Sequence, residues 1–148
     1  EERAIAACGP GVETVDIHLG SCRDLVEGLV ALDLLRGSVD SLIEREAHLL
    51  FYPHGIGHMI GLGVRDASGP LPGRPKRTEP ARKNQRTDFP LQPGYTMTIE
   101  PGIYFIPAIL HDPDRRKRYP DCVNWDKAVS LLRDDSFDRS SPIRTCVS

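Results

Sequence analysis

The residue pattern predicts a mixed fold in which helices come first and strands later, an α+β order. Three observations carry it. Apolar residues recur at helical spacing through residues 16–35, single alternation of apolar and polar residues marks 95–100, and FYPHGIGHMIGLG between them is too rich in glycine to be helical.

EERAIAA reads as the end of a helix, because Ala and Ile recur until Gly9, Pro10 and Gly11 stop it. A second helix covers 16–35, with Leu19, Cys22, Val26, Leu29 and Val30 on one face and Arg23, Asp24 and Glu27 off it, and Gly37 closes it. Ser38 or Asp40 caps a short third helix through VDSLIEREA, and HLLFY reads as a brief buried strand. In FYPHGIGHMIGLG, Gly55, Gly57, Gly61 and Gly63 each cost a helix about 1 kcal/mol relative to Ala, so the spacing of His54 and His58 is not a helical one. The stretch is an irregular loop or strand edge in which the backbone packs close to something.

Residues 69–90, GPLPGRPKRTEPARKNQRTDFP, combine Pro70, Pro72, Pro75, Pro80 and Pro90 with Arg74, Lys76, Arg77, Arg82, Lys83 and Arg86. So little of it is apolar that it reads as an exposed loop or partly disordered insertion. A basic tract can also touch phosphate or an acidic surface, but the chain is slightly negative overall and no aromatic residue is interleaved for base stacking. No nucleic-acid partner is therefore expected. Pro93 and Gly94 turn the chain into the strand YTMTIE, Pro101 and Gly102 break it, and IYFI follows as a further strand. VNWDKAVSLL is a short helix, and DDSFDRSSPIRTCVS a frayed tail. Residues 1–132 thus form one domain, with 133–148 a divergent, disordered tail.

A chain of 148 residues, 39% hydrophobic and 27% charged with a net charge of −2, supports a single domain with a real core and points to no membrane or nucleic-acid surface. No apolar run approaches the roughly 18 residues of a membrane span. A soluble, cytoplasmic protein is expected. Cys8, Cys22, Cys122 and Cys146 are scattered, which suggests reduced thiols rather than a disulfide framework.

The chemistry-bearing residues are His54, His58 and Glu100. A glycine-framed histidine pair and an acid preceding Pro-Gly, on short strands able to lie side by side, would offer one nitrogen and one oxygen to a divalent ion. PHGIGHMIGLG followed by LQPGYTMTIEPGIYF closely resembles the metallopeptidase family with the pita-bread fold, in its prolidase and aminopeptidase P branch. The resemblance runs back through PGVETVDIHLGSCRDLVEGLVALDLLRG and forward through FIPAIL and VNWDKAVSLL. It implies an α/β fold, the C-terminal half of a pita bread, with helices packed on a curved, mostly antiparallel sheet. It further implies that His58 is a metal ligand, that His54 holds or polarises the scissile peptide, and that Glu100 is both a ligand and a proton carrier. The implied reaction is hydrolysis of Xaa-Pro bonds by two divalent ions, manganese, cobalt or zinc, roughly 3.5 to 4 Å apart. A proline-containing dipeptide or peptide is the implied substrate.

The chain departs from the family pattern in three places. Two aspartates expected upstream would precede Glu1, and the glutamate expected in a G-I-R-I-E-D stretch is replaced by LLRDDSFDRSSPIRTCVS. A substrate-contacting histidine expected seven residues after His58 is Arg65, which cannot accept a proton. Asp66, Asp134 and Asp135 have no spacing that argues for a ligand role. The expectation is a fragment of the catalytic domain with little activity of its own; the alternative is a non-catalytic pita-bread protein that binds peptides or partners. Without its other half the sheet would expose an edge, so a homodimer or poor solubility is expected. Calorimetry with Zn²⁺ or Mn²⁺ on the 148 residues is predicted to reveal no submicromolar dinuclear site.

Overall fold

The computed structural model describes residues 1–66, 69–75, 77–79, 82 and 85–132. The tail 133–148, with Asp134, Asp135 and Cys146, lies outside the described residues, as do Lys76 and Lys83 of the basic tract. Helix and strand are mixed, as the class requires. The described elements are helices α1 (Glu2–Ala6), α2 (Thr14–Ala31), α3 (Val39–Glu44), α4 (Pro107–Leu110), α5 (Pro113–Arg118) and α6 (Trp125–Ser130), with short strands β1 (Gly69–Pro70) and β2 (Thr87–Asp88). β1 and β2 pair in parallel, and antiparallel pairing occurs at the single bridges Glu13 to Pro90, Leu35 to Val123 and Met59 to Met97.

The chain divides into two compact units. The described part of the first comprises residues of Glu1–Ser21 and Pro53–Pro101, with a small core of Ala4, Ile17, Ile56, Leu91, Met97 and Ile99. The second comprises Cys22–Tyr52 and 102–132, built on a larger core that includes Val26, Leu29, Leu34, Leu35, Leu42, Leu50, Phe51 and Leu110. Phe51 and Phe105 meet edge to face there at 5.7 Å.

Several local expectations are corrected. The second helix ends at Ala31, not near residue 35, because Asp33 turns left-handed at φ 49° and the Leu34 N–H reaches back to the Leu29 carbonyl, a Schellman closure. That turn sends Leu34 and Leu35 inward, where both are buried. Leu19 is 40% exposed, because the buried stripe of α2 runs through Val15, His18, Cys22, Val26 and Leu29 and leaves it one residue off. HLLFY is no strand: Ala47–Leu50 is a 3₁₀ turn, entered through Glu46 at φ 58° and closed by Phe51 and Tyr52 N–H groups donating to the His48 carbonyl. Ser38, not Asp40, caps α3, its hydroxyl accepting from the Ser41 N–H at 3.3 Å. Cys8, Cys22 and Cys122 are free thiols, and burial pushes the Cys22 thiol up to about 12, which removes it from nucleophilic chemistry.

The basic tract is tied down at two arginines. Arg74 forms a two-pronged pair with Glu13, both bonds 2.8 Å, and reaches Asp88 at 3.1 Å; Arg77 holds the other Asp88 oxygen at 2.9 Å. Asp88 and Thr87 are buried. Hydrogen bonds from Arg77 above all, and from Arg74, hold the Asp88 carboxyl below the usual carboxylate range, and Arg74 does the same for Glu13. Such depressed groups contribute stability that is complete above the unfolded carboxylate range and is lost as pH falls through the folded values. Acid unfolding followed by circular dichroism is thus expected to set in below about pH 4, and Asp88→Asn is expected to flatten that limb.

Candidate metal centre

Two arms of the first unit pair antiparallel and build the site. The Ile60 N–H donates to the Thr96 carbonyl at 2.9 Å, the Thr98 N–H to the His58 carbonyl at 2.9 Å, and the Glu100 N–H to the Ile56 carbonyl at 2.7 Å. This register sets His58 opposite Thr98, so Glu100 is the diagonal neighbour of His58, within reach of two long side chains. The side chains do meet: His58 Nε2 lies 3.1 Å from Glu100 Oε1, with 8% and 18% of the two side chains exposed.

The ladder is irregular at one point, and the irregularity explains the glycines. The His58 N–H donates not to the Thr98 carbonyl but to the Thr98 hydroxyl, at 3.0 Å. The Thr98 carbonyl is instead set against Gly57, where a Cβ would collide with it. Only a residue without a side chain leaves room. Gly61 is similarly crowded by the Asp66 carboxylate, which accepts from the Leu62 N–H at 3.1 Å and closes the turn beyond the ladder.

The His58 ring is oriented from behind, its Nδ1 bonded at 2.9 Å to the Met59 carbonyl. A carbonyl only accepts, so Nδ1 carries a proton, and Nε2 is the nitrogen that faces Glu100. At 3.1 Å the two atoms can share a proton or stand side by side on one cation. Two donors about 2.1 Å from one ion lie about 3 Å apart at right angles, so the observed spacing suits adjacent ligands as well as it suits a hydrogen bond. A back-bonded imidazole beside a carboxylate is a donor set suited to manganese or zinc. These residues therefore fit part of a metal centre. Among the described residues no group of three or more His, Cys, Asp or Glu side chains gathers to complete one.

Of the other expected site residues, His54 is half-buried four residues before His58, its Nδ1–H donating to the Gly55 carbonyl at 2.7 Å. Arg65 lies exposed in the turn beyond the paired segment. Asp66 is committed to that turn. Sequence reasoning missed Thr98 and the reason for Gly57; the T-x-E spacing, a hydroxyl two residues before the acid on the same strand face, was the available signal.

Residues 1–130 match metallopeptidase family M24. The human Xaa-Pro dipeptidase is 39% identical over 108 residues, covering 73% of this chain and 22% of that protein. The Xaa-Pro dipeptidase of Shewanella woodyi is 36% identical over 138 residues, 90% of this chain and 30% of its own length. Among solved structures, zinc-substituted Escherichia coli aminopeptidase P in complex with product aligns at a TM-score of 0.57 and 32% identity, over 77% of this chain and 23% of that one. Fold and sequence thus match a metallopeptidase architecture. The chain belongs to metallopeptidase family M24, and it spans less than a third of the length of these relatives.

No helix among the described residues is long and apolar enough to cross a membrane. Gly57→Ala is expected to lower stability by about 1–3 kcal/mol by forcing the arms apart; denaturant unfolding measures it, and an unchanged midpoint would refute the steric account.

Proposed function

We propose that this chain supplies His58 and Glu100 to a metal centre that hydrolyses Xaa-Pro peptide bonds. The observation that carries the proposal is the imidazole nitrogen and carboxylate oxygen held 3.1 Å apart, with the ring's other nitrogen bonded to the Met59 carbonyl. Similarity to Xaa-Pro dipeptidases and to aminopeptidase P supports the substrate class, a dipeptide or peptide with proline after the scissile bond. A pair of divalent ions, manganese, cobalt or zinc, would lend the Lewis acidity that makes water a nucleophile near neutral pH. His58 holds the site from the nitrogen side through Nε2. Glu100 offers one oxygen to the ion and carries a proton towards the leaving proline nitrogen, which as an amide has no N–H of its own. His54 orients the peptide, and Arg65 is the weaker candidate for a substrate contact. The setting proposed is cytoplasmic, and the assembly a homodimer.

Two donors are fewer than a zinc site uses, so the remaining ligands must come from outside the described residues. Arg65, standing where a substrate-contacting histidine is expected, supports the second reading, a member of the family that binds peptides without cleaving them.

One chimera decides between the two. Residues 1–130 replace the aligned segment of the Shewanella woodyi enzyme, and hydrolysis of Gly-Pro is followed with Mn²⁺ present. Turnover that falls by about 10³-fold or more in His58→Ala and Glu100→Gln chimeras is expected. A folded chimera that binds Mn²⁺ through His58 but turns nothing over would establish the binding reading instead.

A further inference from the structure

We propose that Thr98 is a positioning residue: its side-chain hydroxyl, not the backbone ladder, sets where His58 presents its imidazole to Glu100. Thr98 is 2% exposed. Its Oγ1 accepts the His58 N–H at 3.0 Å and lies 3.4 Å from the His58 carbonyl, while its own N–H donates to that carbonyl at 2.9 Å. Both polar groups of the His58 backbone are thus held by one residue.

In an ordinary antiparallel pair the His58 N–H would go to the Thr98 carbonyl. Here the hydroxyl intervenes as acceptor, and the carbonyl it replaces is displaced against Gly57. The local shift changes how the backbone enters His58. Behind the ring the Met59 carbonyl fixes Nδ1, so backbone placement at 58 passes directly into the position of Nε2. Threonine suits the role because its branched side chain is stiff about χ1, which holds the hydroxyl over the strand. Valine has the same shape and no acceptor. The N–H of His58 is buried, and stripping it of its partner leaves a donor with no water to turn to.

The inference rests on the metal-centre reading only for the second of its two readouts. The first uses hydrogen exchange and nuclear Overhauser contacts on the full 148-residue chain without metal. The variants are two pairs that differ where the hydroxyl sits, wild type against Thr98→Val, which puts a methyl in its place, and Thr98→Ser against Thr98→Ala, which puts a hydrogen there. Exchange of the His58 amide is expected to quicken by about tenfold relative to the Thr98 and Glu100 amides when the hydroxyl is lost, with weaker contacts between the His58 ring and the Glu100 side chain. Thr98→Ser restores both. The second readout is Mn²⁺ broadening of the His58 ring resonances, expected to need about tenfold more Mn²⁺ in the variants lacking the hydroxyl.

If His58 exchange rises no more than that of its neighbours, or Thr98→Ser behaves as Thr98→Val does, the inference is overturned. Should Thr98→Val not fold, the serine and alanine variants decide by the same criterion. Absence of broadening in the wild-type chain refutes the metal reading alone, and the exchange comparison still judges Thr98.

Discussion

A carboxylate oxygen and an imidazole nitrogen are held 3.1 Å apart, close enough for one proton or one cation to bridge them, and that approach is the constraint on which the first unit is organised. The approach is set by hydrogen-bonded neighbours along the backbone as well as by the pair itself. Residues 56–60 and 96–100 are zipped by backbone bonds, and the Met59 carbonyl fixes the ring. The ring is thereby kept facing Glu100. Such a pre-set pair would lose little conformational freedom on taking a cation, which is how preorganised sites gain affinity.

The rest of the unit keeps the two arms in register. They are joined by a long connection, and a long connection by itself leaves strand ends free to slip. Two devices oppose slippage. The Asp66 carboxylate folds the turn directly after the first arm. Nearer the second arm, Arg74 and Arg77 gather on Asp88, and Arg74 also grips Glu13 at the start of α2. Beyond it, the Gly11 N–H donates to the Leu91 carbonyl and the Leu91 N–H to the Val12 carbonyl, while the Thr14 N–H donates to Phe89. The N-terminal segment therefore serves as the fixed rail against which the second arm is laid.

Much of this was legible in the residues, and what was not has identifiable causes. Helices α1, α3 and α6 stand close to where periodicity and caps place them, because their signals are local. The end of α2 was misjudged because Leu32, Leu34 and Leu35 continue an apolar pattern while Asp33 adopts a left-handed turn that no periodicity reveals. HLLFY has the composition of a strand, yet it folds as a 3₁₀ turn within the core of the second unit, where packing overrides propensity. Charge composition marked residues 69–90 as exposed loop; it could not show that Arg74 would find Glu13, 61 positions away.

By itself the sequence determined the candidate donors and their framework: His58 within closely spaced glycines, Glu100 at the end of an alternating segment, and membership of a metallopeptidase family carried by those two motifs. These are facts of residue type and short spacing, so a linear reading reaches them. Only the tertiary structure decided that a threonine hydroxyl would take the place of a carbonyl opposite His58, and that Gly57 would yield the space the displaced carbonyl needs. Those choices depend on the register between segments 40 residues apart, and register is settled by packing and hydrogen bonding in three dimensions rather than by neighbours along the chain.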